Sequence, residues 1–296
     1  MPDIPRVLAA PFGGDNFAWI VPAGEGQAVV IDPGEARPVA DALARGNLTP
    51  AAFLCTHSDY DHVSGLATLS ARFPGAAIAV SHSFGRANPA SGARIHSCRE
   101  GDVLSFGAVR VTCIETPGHT ADSMCFRIDW AAACSAEAGA DPGENYARSS
   151  CLDYAADPGA LFTGDTLFAA GCGRVRGSYE VMFQSLRRLA ALADRSPETL
   201  VYPGHDYLEE NLRFAASLPV QPDVLAALLK RREALRNGQE PPSALALEKM
   251  TNPFLLAITD EDFARALYPS APQAGHKDAL HLEAFTVLRR QKNNFM

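Results

Sequence analysis

Short apolar runs separated by turn residues fill the first two-thirds of the chain. Segments 6–10, 18–21, 28–31, 52–55, 76–80, 109–114, 124–128, 159–162 and 200–202 are too short for helices, and Gly, Pro, Asn and Asp cluster around them, so each reads as a strand. Between some of them, 37–45, 63–72 and 179–193 carry apolar residues at helical spacing. Strands interleaved with helices predict an α/β layered domain. After His205 the pattern changes. Val224, Leu225, Leu228 and Leu229 repeat at helical spacing, as do Leu280, Ala284, Val287 and Leu288, with a shorter set at Phe263, Ala264, Leu267 and Tyr268. Prolines 219, 222, 241, 242, 253, 269 and 272 punctuate this segment. The expected organisation is an α/β domain over 1–208 and a small, mainly helical domain over 209–296. The stretch 131–158, rich in small and turn-forming residues, reads as a surface insertion.

Composition narrows the function classes. The chain has 296 residues, 47% hydrophobic and 20% charged, enough to bury a sizeable core. A net charge of −8 argues against nucleic acid as the main partner. The N-terminal residues lack a basic stretch followed by an apolar one, and no apolar run approaches the roughly 20 residues of a membrane span. The seven cysteines form no CxxC pair and read as buried thiols of a reducing compartment, so the expected location is cytoplasmic. The expected quaternary state is a monomer or weak homodimer.

Chemistry concentrates at four strand ends. FLCTHSDYDH carries His57, Asp59, Asp61 and His62; CIETPGHT carries His119; LFTGDT carries Asp165; LVYPGH carries His205. Along an extended THSDYDH segment, alternation sends His57, Asp59 and Asp61 to one side, and a turn at Asp61-His62 brings His62 round. Gathering so many imidazoles and carboxylates without a cation would be costly. The donors are nitrogen and oxygen with no thiolate, which suits catalytic zinc, iron or manganese over a structural zinc. Seven candidates exceed one tetrahedral ion, so the natural reading is two divalent ions with one carboxylate between them.

In this order, THxxxDH, TPGHT, FTGDTLFAAGCGR and YPGHDY resemble the metallo-β-lactamase fold, and within it the glyoxalase II (hydroxyacylglutathione hydrolase) family. The likeness runs from Asp15-Asn16-Phe17 to RRQKNNF, leaving out 131–158, and includes Asn252-Pro253-Phe254 and the late basic cluster of a glutathione-binding helical domain. The resemblance implies an αββα sandwich with two metal ions at one edge. His57, the Asp59 slot and His119 would hold one, Asp61, His62 and His205 the other, and Asp165 would bridge. It implies that a metal-bridging hydroxide attacks a thioester, with Asp61 orienting it or accepting its proton. S-D-lactoylglutathione would then yield glutathione and a 2-hydroxy acid, as in methylglyoxal detoxification. Arg174, Tyr207, Arg289 and Lys292 match substrate contacts, the last two on one helical face.

Two positions depart from the family pattern. The motif His-x-His-x-Asp-His has Asp59 as its second member here, and Arg176 stands where an aromatic residue is common. A carboxylate for an imidazole adds a negative charge and a harder donor, which predicts less bias towards zinc. Alternatives are a mononuclear iron enzyme of the persulfide dioxygenase kind and a metal-binding relative without hydrolase activity.

Overall fold

A computed structural model describes residues 6–84, 94–130, 146–148, 159–237, 242–270 and 277–295. The first sheet has the order β1-β2-β3-β4-β5-β6. Strands β1 (Leu8–Phe12), β2 (Asn16–Gly24) and β3 (Gln27–Ile31) form an antiparallel meander. Helix α1 (Ala36–Arg45) then crosses to β4 (Thr49–Cys55), and helices α2 (Tyr60–Val63) and α3 (Leu66–Arg72) lead to β5 (Ala77–Ser81) and β6 (Ile95–Cys98), all parallel to β3. The runs Ala28–Ile31, Ala52–Cys55 and Ala77–Val80 are buried throughout, as expected of parallel strands covered on both faces.

The second sheet contains β7 (Asp102–Phe106), β8 (Val109–Glu115), β9 (Met124–Trp130), β10 (Tyr146–Arg148) and β11 (Ala160–Gly164). A small hairpin follows, β12 (Leu167–Phe168) with β13 (Gly171–Cys172), then helix α4 (Tyr179–Arg195) and strand β14 (Leu200–Pro203). Helices α5 (Leu208–Ala215) and α6 (Pro222–Arg236) precede strand β15 (Ser243–Ala244), and α7 (Leu245–Thr251), α8 (Pro253–Thr259), α9 (Glu261–Leu267) and α10 (Lys277–Asn293) end the described chain. The sheet order is β10-β7-β8-β9-β11-β14-β15, so the mainly helical C-terminal part contributes an edge strand.

Three apolar layers hold this together. Leu54 and Ala79 of the first sheet meet Val111, Phe126 and Phe162 of the second. Val39, Leu43, Leu66 and Leu69 cover the outer face of the first sheet. Met182, Phe183 and Leu186 of α4 cover the second sheet together with Phe254, Phe285 and Leu288. The result is the expected αββα sandwich followed by a small helical unit. Each fully buried aromatic, such as Phe162, contributes about 1.5–3 kcal/mol through burial.

Several local expectations need correction. The strand expected at 6–10 forms at Leu8–Phe12. The single helix expected at 63–72 is two, because Gly65 passes the Pro33 carbonyl so closely that a Cβ would lie 2.5 Å from its oxygen. The 131–158 insertion lies outside the described residues except for β10, which pairs with β7. Among the described residues no helix is long and apolar enough to cross a membrane.

Candidate metal centre

The seven ligand-type residues converge at one edge of the sandwich, five in turns that follow strands and two, Asp61 and His62, on the short helix α2. His57 and Asp59 follow β4, His119 lies in the turn between β8 and β9, Asp165 follows β11 and His205 follows β14. Glycines let these turns close. At Gly164, with φ +47°, a Cβ would stand 2.2 Å from Thr56 Oγ1; at Gly204 it would stand 2.7 Å from His62 Cε1. The extended path expected through THSDYDH stops at Asp59. That residue caps α2, and His62 N donates to Asp59 O at 2.9 Å. Asp61 and His62 therefore project from a helical turn, and Asp61 joins His205 rather than His57 and Asp59.

All four imidazoles are fixed from behind. His62 Nδ1 donates to Asp32 Oδ2 at 3.0 Å, and His205 Nδ1 to Asp15 Oδ1 at 3.2 Å. His119 Nδ1 donates to the Arg174 carbonyl at 2.9 Å. The Thr56 hydroxyl uses its hydrogen on Asp32 Oδ2 at 2.7 Å, so at 3.0 Å it accepts from His57 Nδ1. With every Nδ1 engaged from behind, four Nε2 atoms turn towards the centre. Those of His62 and His205 lie only 3.3 Å apart. The buried His57 Nε2 and Asp165 Oδ1 have no hydrogen-bond partner. Imidazole nitrogens and carboxylate oxygens crowded this closely need protons or a cation among them, so this donor set fits divalent metal.

The donor atoms divide into two halves. His57, Asp59 and His119 form one cluster and Asp61, His62 and His205 another, with the chosen donor atoms of each within 4.8 Å of one another. Asp165 faces both. Its Oδ1 lies 3.4 Å from the Nε2 of His62 and of His205, while Oδ2 lies 3.5 Å from His119 Nε2. Burial raises the Asp165 pKa, but the His62 contact and the surrounding imidazoles outweigh it and bring it to about 2. Burial also disfavours charge on His62, yet Asp32 and Asp165 push its pKa up. Asp61 Oδ2 accepts from Asn16 Nδ2 at 3.0 Å, and its carboxyl is held low chiefly by His205. Asp59 Oδ2 lies 3.3 Å from His119 Nε2 and 3.5 Å from His57 Nε2, in the slot where the family motif has histidine.

Of the substrate contacts expected from the resemblance, two stand at the rim. Tyr207 stacks flat on the His205 ring, with centroids 4.9 Å apart and planes 6° apart. Arg174 is exposed, with its carbonyl on His119. Arg289 and Lys292 share one face of α10 as expected, but that face is buried and both charges are engaged. Arg289 Nη1 donates to the Cys172 carbonyl at 2.7 Å and its guanidinium lies over the Phe254 ring. Lys292 pairs with Glu210 among Phe214 and Phe295. In the Asn252-Pro253-Phe254 stretch, Asn252 caps α8 and its amide donates to the carbonyls of Phe168 and Gly171. The fully buried Glu248 accepts from Ala170 N and from Arg231. Asn252, Glu248 and Arg289 thus brace the loop that leads from β12 to Arg174.

Sequence reasoning missed Asp32, Asp15, Asn16 and Thr56. Each left a signal that was not turned into a role: Asp15 and Asn16 open the family likeness, Thr56 begins THxxxDH, and IDPG repeats the layout of an apolar strand followed by a turn bearing an acid.

Comparison with known proteins identifies the family and the fold. Residues 11–129 match the family described as the metallo-beta-lactamase superfamily, and residues 206–295 match hydroxyacylglutathione hydrolase C-terminus. A hydroxyacylglutathione hydrolase of Xanthomonas axonopodis pv. citri is 36% identical over 296 residues, covering 98% of this chain and 99% of the relative. Another, from Nitrosomonas eutropha, is 36% identical over 286 residues, with 95% of each chain covered. Among solved structures, ETHE1 from Myxococcus xanthus superposes with a TM-score of 0.55 at 24% identity, covering 97% of this chain and 98% of that one, a likeness of fold.

Proposed function

Because the chain belongs to the hydroxyacylglutathione hydrolase family within the metallo-β-lactamase superfamily, we propose that it hydrolyses S-D-lactoylglutathione, or a closely related glutathione thioester, to glutathione and a 2-hydroxy acid. The observation that carries this reading is the convergence of four Nε2 atoms around Asp165. In this reading His57, Asp59 and His119 would hold one divalent ion and Asp61, His62 and His205 a second, with Asp165 facing both. Bound there, the ions would supply an acidified water and a Lewis acid for the thioester carbonyl.

The chain's own residues do the rest. Asp61, half-exposed and steadied by Asn16, can orient the attacking water or accept its proton. Water oxygen adds to the carbonyl carbon, the C–S bond breaks, and the glutathione sulfur leaves with the bond pair and takes up a proton. Tyr207 and Arg174 flank the opening and are proposed to receive the glutathione moiety, Arg174 through its carboxylates. Arg289 and Lys292 support that surface from beneath. Residues 1–208 are proposed as the catalytic domain and 209–296 as the domain that shapes the thiol-binding side.

The test is thiol release from S-D-lactoylglutathione by metal-stripped protein, before and after adding Zn, Mn or Fe. Hydrolysis that is absent without metal and returns with it is expected. No release under any metal condition would sink the proposal, and oxygen uptake with glutathione persulfide would favour the dioxygenase alternative instead.

A further inference from the structure

Arg176 lies 117 residues from Asp59 in sequence and meets it as a fork. Its Nη1 donates to Asp59 Oδ1 at 2.8 Å, and its Nη2 lies 2.6 Å from Asp59 Oδ2. Oδ2 is also the oxygen that faces His119 Nε2 and His57 Nε2. A carboxylate has about four acceptor directions, and a bidentate guanidinium takes one on each oxygen. Oδ2 keeps one free direction, into the cluster. The two residues that depart from the family pattern are therefore bonded to each other.

We propose that Asp59 and Arg176 act as one unit, a net-neutral oxygen donor in place of the usual imidazole, and that the Arg176 charge holds the His57–Asp59–His119 position at low affinity and sets its choice of metal. The proposal rests on the metal-centre reading above and deepens it. Charge bookkeeping gives its sign. An imidazole in this slot is neutral and a lone carboxylate carries −1; the carboxylate with its guanidinium is neutral again, but a cation now stands one hydrogen bond from a donor atom. Two opposing effects act when Arg176 is removed. The carboxylate loses its positioning partner, which is a small loss, because the short Asp59 side chain sits on the fixed cap of α2. The position also loses a repelling positive charge, which is the larger gain, because that charge stands one hydrogen bond from a donor atom, well inside a Debye length. Arg176 itself is 56% exposed, so its replacement leaves the core intact.

The test is a double-mutant cycle on metal uptake by the full chain, read as ions per chain and stepwise dissociation constants for Zn and Mn against a chromophoric chelator, with thermal melts confirming folding. Arg176→Met is expected to tighten the weaker step tenfold or more, about 1.4 kcal/mol, and to leave the tighter step unchanged. Arg176→Lys keeps the charge and is expected to keep the weak step weak. Asp59→His alone leaves an unbalanced cation and weakens the step further, and adding Arg176→Met to it restores tight zinc binding, so the cycle is non-additive. An additive cycle, or a weaker step that loosens or does not move in Arg176→Met, would overturn the proposal while leaving the metal-centre reading in place. A wild-type chain that takes up no ion would overturn both.

Discussion

Behind His62 and His205 stand carboxylates, Asp32 and Asp15; behind His57 and His119 stand a hydroxyl and a peptide carbonyl, from Thr56 and Arg174. The acids differ in the opposite sense, for Asp61 is steadied by the neutral Asn16 and Asp59 by the Arg176 guanidinium. A carboxylate behind an imidazole raises its basicity as a ligand, whereas a guanidinium behind a carboxylate lowers the charge it offers. Both differences favour the same half. On the proposed two-ion reading, the Asp61–His62–His205 half would hold a cation tightly and the His57–Asp59–His119 half would hold one loosely. Support differs too. Asp32 sits on the buried end of β3, while Arg174 and Arg176 ride on a loop braced by α8 and α10.

Substitutions separate the halves in order of size. Asp165→Asn removes the charge both halves share, so ion content and thiol release are both expected to fall by about 100-fold or more, beyond the effect of any outer partner. Asp32→Asn keeps the shape behind His62 but not the charge, and is expected to cost the tighter ion about 10–100-fold in affinity, with a smaller loss in the weaker step because Asp32 also holds the Thr56 hydroxyl behind His57, read by chelator competition. Arg289→Met removes a donor to the buried Cys172 carbonyl and is expected to lower unfolding stability by about 1.5–3 kcal/mol in urea titration, with any change in metal affinity confined to the weaker step. Thr56→Val deletes the hydroxyl behind His57 and its bond to Asp32, and should cost about 0.5–1.5 kcal/mol of stability, with less than a tenfold change in metal affinity.

Much of this was legible from residue pattern. The buried runs Ala28–Ile31, Ala52–Cys55 and Ala160–Phe162 are continuous and apolar, and the ligand-type residues follow strands, so the αββα core and the cluster at its edge could be anticipated. What escaped was short or long-range. Ile95–Cys98 alternates in burial without an apolar run, and β12, β13 and β15 are two residues each, below any periodicity signal. The partners behind the imidazoles come from residues as far as 190 positions away, and an isolated Asp or Thr carries no mark of the ring it will meet. The Asn252-Pro253-Phe254 stretch signalled the helical domain, but not that its amide ties down the loop beneath Arg174. Asp59 and Arg176 were each visible as departures from a motif. Only the fold brings them together.

The most direct measurement is a metal titration of the stripped full-length chain, in wild type, Asp32→Asn and Arg176→Met. Two ions per chain in two resolved steps are expected, with Asp32→Asn weakening chiefly the tighter step and Arg176→Met tightening only the weaker. Two ions bound with a single indistinguishable affinity, or Asp32→Asn moving the weaker step more than the tighter, would contradict the unequal halves.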